Sequence, residues 1–120
     1  MAIFWRLAVG SLVTFATSAA HAEWRYCLAP ADAARKVYLS RSFTTDAAHD
    51  AIAAAFGTAL AAAGIAYDRA QCPRADSERQ IEAMRAHAAQ YNQEFLKRTA
   101  VDVPWSPSQA LEAWRGTTLR

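Results

Sequence analysis

Two cysteines, Cys27 and Cys72, constrain this chain more than any other feature, because its first residues place them in an oxidising compartment. Arg6 gives a short positive region, Leu7 to Ala20 is apolar or small throughout, and Ala20-His21-Ala22 supplies an A-x-A cleavage motif. Those are the three parts of a secretory signal peptide. The apolar run falls short of the roughly 20 residues that a membrane span needs, so cleavage before Glu23 is expected, with no stable membrane insertion afterwards. An uncleaved tether is the alternative. A lipoprotein would carry cysteine at the cut, whereas Cys27 lies four residues beyond it.

Removing residues 1–22 from the 120 leaves 98, enough for one domain. A domain of that size buries only about 60–70% of its unfolded surface, so a covalent staple is valuable. In an exported chain two cysteines are expected to pair. Closing the loop from 27 to 72 contributes about 4 kcal/mol by restricting the unfolded chain. Two free thiols are the alternative. A redox-active pair is disfavoured, because the close spacing of reactive cysteines is missing.

Of the 13 Lys and Arg residues, 12 remain after loss of Arg6 against 11 Asp and Glu, a net charge of +1. No basic cluster is dense enough for a nucleic-acid footprint. The partner classes left are proteins or other envelope components.

In chain order, Glu23 to Ala29 reads as an extended lead-in with Trp24 and Tyr26 on one side and Arg25 and Cys27 on the other. Lys36 to Phe43 alternates Val37, Leu39, Arg41 and Phe43 against Lys36, Tyr38, Ser40 and Ser42, the period of a half-buried strand. Thr44-Thr45-Asp46 predicts a helix start, and Gly64 a left-handed stop after Ala63 with Ile65 as its hydrophobic contact. Ile52, Phe56 and Leu60 form that helix's core stripe. Its back, with Ala51, Ala54, Thr58 and Ala61, carries no charge. Ile65 to Cys72 alternates like a second strand. Ser77-Glu78-Arg79-Gln80 is a capping box opening a helix to about Leu96, with Ile81, Met84, Ala88, Tyr91 and Phe95 as its expected core face. Thr99 to Trp105 reads as a third strand that Pro104 confines to an edge or an end. A second capping box at Ser106 to Gln109 predicts a short helix from Pro107 to Arg115.

The expected fold class is therefore α/β, a β-α-β-α-β two-layer sandwich with parallel strands and one Cys27–Cys72 disulfide. Residues 23–106 form the domain, and 107–120 a short helix and tail. A three-layer arrangement is the alternative.

Chemistry is thinly represented. The mature chain has two histidines, His49 and His87. His49 reads as a packing residue, and its neighbour Asp50 is expected to point away, since adjacent helical residues do not face each other. His87 stands one turn before Tyr91 and two before Glu94, a line able in principle to serve acid–base chemistry, or simply a polar helix edge. No metal-ligand spacing, nucleophile elbow, phosphate loop or dinucleotide motif occurs, so no catalytic residue, cofactor or metal is assigned. Trp105, between Pro104 and Pro107, is either a recognition aromatic or the closure of the core. The surface expected to meet a partner is Ala54, Thr58, Ala61 and Trp105.

Tyr26-Cys27, Val37-Tyr38-Leu39-Ser40 with Phe43, Gln71-Cys72-Pro73, Arg85 and Val101-Asp102-Val103-Pro104-Trp105-Ser106-Pro107 together resemble a loose group of small exported bacterial proteins of unknown function. The resemblance implies export and a disulfide, and no activity. The expectation is an exported binding or accessory protein of the periplasm or exterior; a small hydrolase using His87 with Tyr91 or Glu94 is the alternative.

Overall fold

The computed structural model describes residues 22–108. Over that span the chain is a mixed α/β fold with two helices, two small sheets and a Cys27–Cys72 disulfide, so class and staple are as the sequence leads one to expect. The signal peptide and the final helix lie outside the described residues, apart from Ala22 and a turn at Pro107 and Ser108.

The lead-in is two strands, β1 (Glu23–Arg25) and β2 (Leu28–Ala31). After a 3-10 turn at Asp32–Ala34 come β3 (Lys36–Leu39) and β4 (Phe43–Thr45). Helix α1 (His49–Ala62), β5 (Arg74–Ala75), α2 (Glu78–Glu94) and β6 (Thr99–Asp102) complete the chain. One sheet has the order β4-β1-β5 and is antiparallel; the other is β2-β3-β6. Of its two pairings, β2–β3 is antiparallel and β3–β6 parallel, so the expectation of parallel strands holds for one pair alone.

The stretch expected as a single strand, Lys36 to Phe43, divides between the two sheets. Ser40 is the cause. Its N–H donates to Cys27 O (2.9 Å), its hydroxyl accepts from Cys27 N–H (2.8 Å), and the hydroxyl donates onward to Arg41 O (2.8 Å). A serine bonded to nearby backbone competes with the ladder, and Phe43 leaves to pair with Arg25. The expected strand at Ile65 to Cys72 is likewise reduced to one bridge, Gln71 with Leu28. Asp68 holds the rest off a regular ladder: its N–H donates to Pro30 O (2.8 Å) and its carboxylate accepts from Asp32 N–H (2.9 Å). The segment still covers the outer edge of β2.

On β3, Val37 and Leu39 join a cluster with Tyr26, Ala75 and Ile81 of α2. Tyr38 joins the other cluster, with Ile52, Phe56 and Leu60 of α1. Successive strand residues point to opposite faces, so the helices flank the sheet rather than sharing one side. Both phases of β3 are apolar, which makes that layering possible. On the last strand, Thr99 N–H bonds Arg35 O and Val103 N–H bonds Leu39 O. The alternate residues Ala100, Asp102 and Pro104 therefore turn their backbone nitrogens outward, where a proline costs no ladder bond. Pro104 thus ends an edge strand, as expected.

Helix α1 begins at His49, three residues later than Asp46, because Thr44 and Thr45 are engaged in β4 opposite Trp24 and Glu23. It ends as expected: Gly64 has φ +79°, its N–H bonds Ala61 O, and Ile65 N–H bonds Leu60 O, the paired bonds of a Schellman cap. Helix α2 is capped by the Ser77 hydroxyl, which accepts from Gln80 N–H (3.1 Å).

Replacing both cysteines by serine should lower unfolding stability by about 3–4 kcal/mol and raise the urea m-value as the unfolded chain expands. Urea titrations of the two forms measure both.

Candidate functional site

Both half-cystines are fully buried, and all four of their backbone polar groups are held. Cys27 is bonded twice by Ser40, as above. Cys72 O accepts from Arg25 Nη1 (2.6 Å), and Cys72 N–H donates to His49 Nε2 (3.2 Å). Since Nε2 accepts, the ring proton sits on Nδ1, 3.0 Å from Asp50 Oδ1. Asp50 was expected to point away; at the first residues of the helix it instead reaches back to its neighbour. The resulting Asp–His line resembles half of a triad but ends on a backbone amide, with no nucleophile. It positions the disulfide.

The other histidine fares no better as a catalyst. His87, Tyr91 and Glu94 are all exposed, and no hydrogen bond joins them among the described residues. Tyr91 stacks on Phe95 (5.3 Å between centroids), while Glu94 accepts from Gln90 (3.1 Å). The structure therefore places the three on one exposed helix face without joining them.

The expected interaction surface separates into two. Ala54, Thr58 and Ala61 are exposed on α1. Trp105 is not: it is 5% exposed, with Phe43 edge-on at 6.0 Å and Phe56 at 5.1 Å. It closes the core, because Val103 enters the ladder beside Leu39 and carries the indole inward. Alanine methyls alone offer little apolar area.

A larger surface arises from α2, whose roll about its own axis differs from the one its periodicity predicts. Met84, Tyr91 and Phe95 were expected inside; Ile81, Arg85, Ala88, Ala89 and Asn92 take the inward side. Two polar anchors set that roll. Arg85 Nε donates to Ser40 O (2.7 Å) and its Nη2 to Asp102 (2.7 Å), tying α2 to the ends of β3 and β6. Buried Asn92 accepts from Arg98 Nη1 (2.8 Å) and donates to Ala88 O (2.8 Å). Arg98 in turn bonds Asp32 at the 3-10 turn. The consequence is a shelf of exposed apolar side chains: Phe95 at 69%, Tyr91 at 45%, Leu96 at 39% and Met84 at 38%. At the Met84 end it opens into a groove of about 410 Å³ lined by Arg74, Ala75, Asp76, Gln80, Ala83 and Met84. Nothing in the residue pattern separates such a shelf from a core stripe, since both are apolar at helical spacing; the only hint was Arg85 in mid-helix.

Tyr26 lies on the α2 side, 3% exposed. Burial pushes its phenol above the ordinary 10.0, and the Arg85 charge offsets part of the rise. Among the described residues there is no helix long and apolar enough to cross a membrane, and no cluster of three His, Cys, Asp or Glu able to hold a metal. No protein-family model, curated protein or solved structure gives a significant match to the chain.

Two outcomes follow from these contacts. His49→Ala should cost about 1–2 kcal/mol by removing the acceptor of Cys72 N–H, while Asp50→Asn, at an exposed site, should stay within about 0.5 kcal/mol; chemical denaturation separates the two. Tyr26 holds its proton more tightly folded than unfolded, so its stabilising effect is complete below pH 10.0 and is lost as pH rises through the higher folded value. Alkaline titration of wild type should show that fall above pH 10.0, and Tyr26→Phe should remove it.

Proposed function

We propose that this is an exported, non-catalytic binding or accessory module of the bacterial envelope, working in the periplasm or outside the cell, which engages a protein through the α2 shelf. The observation that carries the reading is the exposure of Met84, Tyr91 and Phe95 along α2 and its C-cap, with Leu96 directly after, beside a flank that Arg85 and Asn92 anchor. Large apolar side chains exposed close together are a common mark of an interaction site. Tyr and Phe, prominent in the shelf, supply contact area at low conformational cost.

The address rests on three supports: the signal-peptide pattern of residues 1–22, the A-x-A motif directly before β1, and a disulfide, which persists in oxidising compartments. The resemblance to small exported bacterial proteins agrees with it. The α1 face at Ala54, Thr58 and Ala61 is a lesser contact, limited by the small area of its side chains.

The experiment is capture from solubilised envelope with the purified exported chain as bait. Wild type should retain a saturable set of proteins, and Phe95→Asp, at an exposed position, should retain at least about tenfold less with an unchanged melting temperature. Equal capture by both forms would remove the shelf from the function.

A further inference from the structure

The backbone polar groups of the two half-cystines are held by partners of two kinds. The Ser40 hydroxyl and N–H hold Cys27, and the Arg25 guanidinium holds Cys72 O (2.6 Å). A hydroxyl and a guanidinium keep their protons, and so their roles, near neutral pH. The remaining partner is different. Cys72 N–H donates to His49 Nε2 at 3.2 Å, and imidazole is the side chain that takes up a proton between about pH 8 and 5.

That bond forms only while Nε2 is bare. Nδ1 already carries the ring proton, facing Asp50 Oδ1 at 3.0 Å, so a second proton must go to the nitrogen that Cys72 uses. The protonated ring then sets an N–H against an N–H, and the contact turns from attraction to repulsion. The ring has room to turn away, since its side chain is 44% exposed, and the exposed Asp50 carboxylate is free to follow it. Cys72 has no such freedom. It is fully buried, so its amide reaches water only if the backbone around it loosens.

We propose that His49 is a proton-operated latch on the disulfide: neutral, it ties the start of α1 to the Cys72 peptide, and protonated at Nε2 it lets that peptide go. The inference goes beyond the binding reading above and does not depend on it. Charged groups of both signs surround the latch. Asp50 is on its own helix, and Asp46 stands exposed in the lead-in to that helix. From β1, Arg25 grips the other end of the Cys72 peptide. On the segment that bears Cys72, Arg69 is exposed and Arg74 is taken up by Glu23 (3.0 Å) and Asp76 (3.3 Å). The opening stays local. Ile52, Phe56 and Leu60 keep the rest of α1 in the core, and Leu28 and Gln71 exchange backbone bonds (2.8 and 3.0 Å) beside Cys72.

Amide hydrogen exchange of the exported chain, read by NMR, tests the latch. Between about pH 7.5 and 5, the protection of Cys72 N–H relative to its intrinsic rate should fall at least about tenfold, the equivalent of one net hydrogen bond. Leu28 and Gln71, whose bonds involve no titrating group, should hold their protection. His49→Gln puts an uncharged acceptor near the Nε2 position, so its Cys72 protection should be equal at both ends of the range. His49→Ala should lose that protection throughout. In wild type the ring-nitrogen shifts should report a proton on Nδ1 alone at neutral pH and on both nitrogens in acid. His87, exposed and without a hydrogen bond among the described residues, supplies the reference titration. Constant Cys72 protection in wild type overturns the proposal, as does an equal fall in His49→Gln. A neutral ring carrying its proton on Nε2 overturns it without recourse to any variant.

Discussion

The sulfur–sulfur bond between Cys27 and Cys72 is the constraint on which the remaining packing depends, and its influence extends through the backbone on either side. Ser40 grips Cys27, Arg25 and His49 grip Cys72, and Leu28 and Gln71 exchange backbone bonds one residue away. One covalent link thus brings together β1, the end of β3, the start of α1 and the segment before β5. A small domain with short strands has little apolar area to hold such elements. The linkage restricts the unfolded chain, and the hydrogen bonds keep the buried cysteine backbones satisfied.

What was legible in the sequence divides along physical lines. The Schellman stop at Gly64 and the cap at Ser77 are local events, governed by residues within one turn, and both formed where the pattern put them. The cysteine pairing was legible because two cysteines leave one intramolecular choice. The strands were less so. Lys36 to Phe43 has good alternation, but alternation says nothing of which strand lies alongside, and Ser40 is drawn to Cys27. Ile65 to Cys72 does alternate in exposure at first, half-buried at Ile65 and Tyr67 and exposed at Ala66 and Asp68, yet lacks a partner on its outer side. Sidedness survived where pairing did not. The opposite orientation of Trp24 and Tyr26 relative to Cys27 persists in the two clusters.

The interaction surface was the least legible feature, for a reason specific to α2. Along the 17-residue helix and its C-cap, Ile81, Met84, Ala88, Tyr91 and Phe95 recur at 3- and 4-residue steps, yet Met84, Tyr91 and Phe95 stay exposed. Which of them go inside is decided by contacts remote in sequence: Arg85 with Ser40 and Asp102, Asn92 with Arg98. Trp105 failed as a surface residue for the converse reason. Its flanking prolines suggested display, while the ladder bond at Val103 directs it onto Phe56.

Those anchors also explain how the shelf stays open. Met84, Tyr91 and Phe95, still 38%, 45% and 69% exposed, would each gain about 0.6–2 kcal/mol on full burial, so the hydrophobic effect alone favours rolling α2 toward them. Such a roll would pull Arg85 from the carbonyl of Ser40 and from Asp102, and would strip Asn92 of Arg98, leaving polar groups in a low-dielectric setting without partners. Each such loss costs about 1–3 kcal/mol, more where a charge is involved. Arg85 is itself less than a quarter exposed, so water replaces little of what it would lose. The two sets of terms are of similar size, and the polar set is indivisible, because Arg85 and Asn92 lie on one helix and leave together. Apolar anchors at these positions would stabilise the rolled and unrolled helix alike. Buried polar contacts distinguish between them, and here the distinction keeps an apolar flank facing outward.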